Sequence, residues 1–410
     1  MKPILTEDWA AVVCAALLMV LAVIGLKPTL LSFAWASAPE LIRQFSPEGL
    51  KEVIFLFFSM YVLTLIGQML RGEKPSANTI VGFGVIFLIT LFANVITGNA
   101  IIKAAGLEIV LFSLLTGLFI SNVLRVPSWI GAMIQTEFYI KIGLVLLGSG
   151  IIFGDVMQAG ALGLLQSMAV VLVVWQFSFW LCKKFRLDDE WRTMLSSAVA
   201  ICGVSAAIAT AGAIKGDSKK LSHVISLVLI TAIPMMLLMP WGAKAIGLSD
   251  AVAGAWLGGT IDTTGAVVAA GTVLGEEGLK YATVVKFSQN VLLGIAAFFI
   301  SLYWTYTQNT KQERPSIKLI WERFPKFVLG FMIASLVFSF VLSPEIISSV
   351  KGTLKSQQTF WFAMAFTCIG LETKFVDIFK LDNGRPAFAF LIAQGFNIIF
   401  TLGVAWLVFR

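Results

Sequence analysis

The feature that most limits what this chain can fold into is a repeated alternation of long apolar blocks with short charged breaks. Crossing a bilayer as a helix takes roughly 20 apolar residues. Blocks of that order recur at 9–26, 50–70, 79–97, 107–124, 138–154, 161–182, 190–213, 221–243, 249–274, 279–305, 323–342, 357–375 and 386–409. Between them stand RGEKPSAN, RVPS, KKFRLDDE, IKGDSKK, TKQERPSIK and KLDNGRP, where charge, Pro and Gly stop a helix. Backbone groups inside hydrocarbon must be satisfied by the protein itself, and blocks of this length do so as helices. The expected fold class is an all-α polytopic membrane protein with eleven to thirteen hydrophobic segments. Composition agrees: 13% of the 410 residues are charged and 58% are hydrophobic, about half the charged share of a soluble domain. No polar stretch is long enough to fold apart, so residues 1–410 read as a single integral membrane domain.

The first block, Trp9–Leu26, follows only one Lys, set against Glu7 and Asp8. It lacks a small-residue cleavage site, so it reads as a retained helix rather than a secretory signal. Cys14, Cys182, Cys202 and Cys368 all lie in apolar segments, at spacings that suit neither a metal site nor a disulfide framework. No cofactor is expected. The net charge of +7 is scattered over loops, which suits anionic lipid and argues against nucleic acid. Loops 71–75, 183–192 and 311–326 are net positive and share one side if the N-terminus is cytoplasmic. Lys311, Arg314, Lys318, Arg323 and Lys326 make the last of them the strongest cytoplasmic marker. A multi-pass protein of a bacterial inner membrane is the expected location.

An internal repeat is also legible. LLGSGIIFGDV (146–156) aligns with CIGLETKFVDI (368–378), pairing Gly148 with Gly370, Phe153 with Phe375 and Asp155 with Asp377. Each copy precedes a short turn and a last apolar helix, and the two cross in opposite directions. Inverted-topology repeats of this kind place substrate near the midplane on broken helices. The repeats are expected at about 50–185 and 279–410, flanking small-residue segments at 190–275.

Two segments stand apart. Residues 190–213 and 249–274 are rich in Gly, Ala, Ser and Thr, so each reads as a broken or re-entrant helix. In AICGVSAAIATAG (200–212), Cys202, Gly203 and Ser205 interrupt the helix. In GGTIDTTGAVVAAG (258–271), Asp262 sits among Gly259, Thr260, Thr263 and Thr264. A third polar place is Lys286, followed by Gln289 and Asn290. A charge at the bilayer centre costs about 2.5–3.5 kcal/mol even on the mildest scales. The bland reading is a buried Asp262–Lys286 bridge tying two helices; the functional reading is a substrate or ion pathway. The unwinding glycines and the threonines favour the second. Free N–H groups and hydroxyls from Ser205, Thr260, Thr263 and Thr264 suit an oxyanion. Lys286 would supply the compensating cation and Asp262 the coupling ion, H⁺ or Na⁺. For 200–212 close helix packing is an equally good explanation. His223, Glu276, Glu277 and Lys280 read as interfacial, Asn94 and Asn99 as capping, and Glu372 and Lys374 as snorkelling to the surface.

Four stretches, AICGVSAAIA (200–209), GGTIDTTGAVVAAG (258–271), EGLKYATVVKFSQN (277–290) and IGLETKF (369–375), resemble in order and spacing the YeiH-like bacterial membrane proteins of the sulfate exporter family. The likeness covers most of the chain from about residue 50 onward. It implies a transporter with two inverted bundles, related to the bile acid/arsenite and sodium/proton antiporter groups. It also implies a transported anion such as sulfate or a small sulfur-containing organic acid.

The leading expectation is thus a secondary transporter of a small anion working by alternating access, with small-residue faces letting a mobile bundle slide on a Phe- and Trp-rich scaffold. A cation/proton antiporter built on Asp262 and Lys286 is the alternative. An integral-membrane enzyme lacks a nucleophile–base set or metal ligands, and a receptor-like scaffold would not bury an acid and an amine. No Walker A motif supports ATP-driven transport. Dimers common in the related groups leave a homodimer open.

Overall fold

A computed structural model describes residues 4–27, 33–75, 77–104, 109–124, 128–307, 318–373 and 384–410. Along the chain run α1 (Glu7–Val23), α2 (Ala38–Gln44), α3 (Pro47–Leu70), α4 (Ala77–Thr97), α5 (Ala100–Ala104), α6 (Ile109–Val123) and, after a 3-10 turn, α7 (Thr136–Gly148). Next come α8 (Phe153–Lys184), α9 (Asp189–Ser197), a π-helical turn (Ala198–Cys202), α10 (Val204–Ile214), α11 (Ser218–Ala245), α12 (Asp250–Thr260) and α13 (Thr264–Leu274). The chain ends with α14 (Glu276–Thr307), α15 (Lys318–Arg323), α16 (Lys326–Phe340), α17 (Pro344–Glu372) and α18 (Gly384–Phe409). Among the described residues, seven helices are long and apolar enough to cross a membrane: Pro47–Leu70, Asn78–Thr97, Trp129–Gly148, Phe153–Lys184, Ser218–Ala245, Glu276–Trp304 and Gly384–Phe409. The protein is an all-α polytopic membrane protein. Among the described residues the β contact is a single bridge between Trp35 and Asn99.

Two boundaries differ from the sequence reading. The break between 138–154 and 161–182 falls earlier, at Ser149–Ile152. Ser149 and Gly150 close α7 there, and Asp155 starts α8 with an acid in its first turn. The expected 357–375 block begins thirteen residues sooner, because Ser343 caps the N–H of Ile346 and Pro344 and Glu345 open a helix that polar residues merely disguise. Of the residues singled out above, Lys311, Arg314, Lys374, Phe375 and Asp377 lie outside the described residues, and with them one member of two of the three repeat pairs.

The chain divides into two compact units. One comprises Met1–Gly154 and Lys326–Lys374, the other Asp155–Pro325 and Phe375–Arg410. In the first unit, α17 packs along α6 and α7, and close approach sets the geometry. A Cβ on Gly370 would lie 2.7 Å from the Cα of Gly117. Hydroxyls then fasten the contact: Thr90 and Thr367 share a hydrogen bond of 2.9 Å, and Ser121 donates to the Gly370 carbonyl at 2.8 Å. A wall of rings, Phe57, Phe83, Phe87 and Phe360, fills the space behind.

In the second unit, the two small-residue segments are helical hairpins. After α9 and its π turn, α10 doubles back, so that the N–H of Asp217 meets Glu190 at 3.1 Å. The Lys220 ammonium binds Asp188 at 2.7 Å and Glu190 at 3.1 Å. A straight segment would hold these ends ~39 Å apart. Likewise α12 and α13 both lie along the first half of α14, with Gly254 and Gly271 packed near Gly278–Ala282. Lys244 at the end of α11 donates to the Val273 carbonyl at 2.7 Å. Since α11 joins the base of the first hairpin to the base of the second, and its 28 residues measure ~42 Å, the hairpins enter from opposite ends of this unit. All four cysteines are buried, and none is joined in a disulfide.

Candidate functional site

The hairpin tips meet. The first turns at Gly203, whose φ of 60° and ψ of −115° suit a residue without a side chain. A Cβ there would press on Val228 at 2.7 Å and on the Asp262 side chain at 3.0 Å. The second turns at Ile261–Thr263, where the backbone is extended. Lys286 lies about ten residues into α14, and Val228 about ten into α11, so the junction sits ~15 Å from either hairpin base. That is half the thickness of a hydrocarbon core.

At this depth each hairpin presents a helix C-terminus and a helix N-terminus, and the two kinds of end are treated differently. Helix C-termini leave carbonyls without partners. Here six of them are met by side chains. The Lys286 ammonium donates to the carbonyls of Ile201 at 3.0 Å and Ile261 at 2.9 Å, and to the Gln289 side-chain oxygen at 2.8 Å. The Gln289 amide donates to Ala200 at 3.0 Å and Gly259 at 3.2 Å. Asn397 donates to Val199 at 3.1 Å and Thr260 at 3.2 Å, and Gln394 to Thr260 at 3.2 Å. Three donors are all an ammonium has, so Lys286, 1% exposed, spends them holding two negative helix ends together.

Of the two N-terminal ends, only that of α13 carries a side-chain cap. Gly203 offers no side chain to cap α10, and Ser205 in its first turn is exposed. Thr263 caps α13 through Ala266 N–H at 3.3 Å, while Asn290 donates to the Thr264 hydroxyl at 3.1 Å. Val204, Thr263 and Thr264 are half-buried. Asp262 is 2% exposed, and neither carboxylate oxygen has a hydrogen-bond partner. The Thr260 hydroxyl is likewise buried and unpartnered. Asp262 and Lys286 thus lie at one junction but form no direct bridge, because the amine is engaged elsewhere.

The ten residues singled out from the sequence all fall on these tips or the helix behind them. Cys202 ends the π turn in a buried position, Gly259 packs against Gln166 and Thr401, and Lys286 is turned toward carbonyls rather than toward the amide ends. Sequence reasoning missed the contribution of α18. Its signal was present in AQGFN (393–397), where Gln394 and Asn397 stand one helical turn apart in an otherwise apolar block. Among the described residues no group of three His, Cys, Asp or Glu side chains forms a metal site.

A family model described as Conserved hypothetical protein 698 matches residues 81–389. The chain belongs to this family. The match takes in both hairpins, α14 and the start of α18. Similar relatives include the UPF0324 membrane protein RB9488 of Rhodopirellula baltica, 39% identical over 87% of this chain and 68% of its own length. A UPF0324 membrane protein of Nitratidesulfovibrio vulgaris is 35% identical over 87% of this chain, which spans 63% of that relative. A third, NE0724 of Nitrosomonas europaea, is 28% identical over 99% of this chain and 96% of its own length. No solved structure matches the chain.

Proposed function

We propose that this protein is a secondary transporter of a small anion, working by alternating access, with Asp262 carrying the coupling cation. One observation carries the reading: two hairpins meet at mid-depth with carbonyls of both tips held by Lys286, Gln289 and Asn397, while the amide end of α10 has no side-chain cap and that of α13 has one, from Thr263. The amide side offers N–H groups under two positive helix ends together with the hydroxyls of Ser205, Thr263 and Thr264, which suits a sulfate, a sulfonate or a small organic acid. Lys286 acts here as the clasp of the junction, and its field reaches the anion without direct contact. The kinship with sulfate exporters, with bile acid/arsenite carriers and with sodium/proton antiporters belongs to this proposal, as does a bacterial inner membrane with the N-terminus in the cytoplasm.

Reconstituted protein should take up labelled sulfate, taurine-type sulfonates or small carboxylates in competition with one another. Ser205→Ala and Thr264→Val should weaken the apparent affinity for the anion about tenfold. Vesicles that move none of these anions, yet show sodium-driven proton movement, would replace this reading with a cation/proton antiporter. That second reading is favoured by the unpartnered Asp262 carboxylate.

A further inference from the structure

Buried polar atoms without partners are rare, because each gives up its hydration for nothing. Among the described residues such oxygens also occur on Gln68, Ser113 and Ser178. Around the second hairpin tip, five collect on four residues: both carboxylate oxygens of Asp262, the Thr260 hydroxyl, and the side-chain carbonyls of Asn290 and Gln394. All four residues are at most 5% exposed.

The same turn anchors them. Gln394 binds the Thr260 carbonyl through its amide nitrogen at 3.2 Å, and Asn290 binds the Thr264 hydroxyl through its own at 3.1 Å. The Gln394 orientation is therefore fixed, whereas the Thr264 hydroxyl can pair with either arm of Asn290. Flipping Gln394 would set one carbonyl oxygen against another. The free arm of each amide is its oxygen, and Asp262 lies between the two anchor points in sequence. A protonated carboxyl satisfies one neighbouring acceptor and leaves the others unmet. A desolvated metal cation satisfies several at once.

We infer that these five oxygens form a binding site for a small monovalent cation, sodium by chemistry. Carboxylate, hydroxyl and amide oxygens are hard ligands of the kind that hold alkali and alkaline-earth ions. A single carboxylate balances one positive charge, and the Lys286 ammonium nearby disfavours a divalent ion. Five ligands suit sodium better than potassium, whose larger shell takes more. This inference deepens the transporter reading by naming the coupling ion. Before loading, Asp262 and Lys286 cancel; after loading, the tips carry net positive charge beside the N-terminal ends of α10 and α13. Cation and anion then favour each other's binding by the same factor.

The test uses purified full-length protein in detergent at fixed pH and ionic strength, with sodium exchanged for potassium or choline and no substrate anion added. Sodium should raise the melting temperature in a saturable way that potassium and choline do not match. Asp262→Asn should abolish that response. Thr260→Val, which removes a hydroxyl that holds nothing, should keep the sodium-free melting point and raise the half-saturating sodium concentration about tenfold. Equal responses to sodium and potassium, or a sodium response surviving in Asp262→Asn, would overturn the site. Stability that follows pH and ignores sodium would also overturn it, while leaving anion transport standing. Saturable sodium binding by a protein that moves no anion would sustain the site and sink the transport reading instead.

Discussion

One end of the first unit and the hairpin tips of the second handle charge in opposite ways. At one end of the first, Lys141 meets Glu7 at 2.6 Å, Asp8 at 3.0 Å and Glu137 at 3.9 Å. Arg71 reaches Glu7 at 3.4 Å, Glu73 at 3.3 Å and Gln135 at 2.7 Å, and its guanidinium lies 4.5 Å over the Phe138 ring. Asp8 also accepts from the first N–H of α16 at 2.8 Å. Acids there find bases directly, and the ends of α1, α3, α7 and α16 are tied together. At the tips of the second unit an acid and an amine lie close, yet the amine is given to carbonyls and the acid to nothing. Local cancellation builds a fastener. Charges held near each other but unpaired keep an electrostatic imbalance available, which a scaffold has no use for.

The contrast breaks most visibly at Lys286. Lys286→Met strips two buried carbonyls and Gln289 of their donor, and should cost about 3–5 kcal/mol, in the range for removing one partner of a buried ionic cluster. A melting curve in detergent reads it; an unchanged curve would mean that water or another donor replaces the ammonium. Lys141→Met should cost less, about 1–3 kcal/mol, because Arg71 still serves Glu7. Transport per folded molecule should be unchanged, and its loss would erase the distinction between the regions. Asp262→Asn sharpens it from the other side. Removing an acid that has no partner should leave the melting temperature the same or higher, while coupled transport disappears. A drop of several degrees would reveal a structural pairing.

The smallest effect lies at the base of the first hairpin. Burial alone would raise the Asp188 carboxyl, but the Lys220 ammonium and the Trp191 N–H hold it below the ordinary carboxylate range. Its folded-state value being depressed, the contribution is present at neutral pH and fades as pH falls below about 4. Asp188→Ala should cost about 1 kcal/mol as a lost cap, seen as a small shift in melting temperature at pH 7 that vanishes in acid.

Much of this was legible in the chain. Apolar length places the spans, and an acid among glycines and threonines marks the junction, because both signals are local and costly to hide in hydrocarbon. The reversal of 190–213 and 249–274 is a different matter. A segment of about 25 small residues is long enough to cross or to turn back, and only the partners of Asp217 and Val273 decide it. The role of Lys286 was hidden for a related reason. Its acceptors are backbone carbonyls, which every residue carries, so no side chain announces them. Gln394 and Asn397 were overlooked because two amides hardly disturb an apolar block, although each is anchored to a tip more than a hundred residues away.

Finally, the burial of all four cysteines makes the wild-type chain nearly silent to thiol reagents. A single Ser205→Cys exchange would set one reactive handle at the open face of the junction, and a membrane-impermeant maleimide applied to one side or the other would report which compartment that face looks onto at each stage of the cycle.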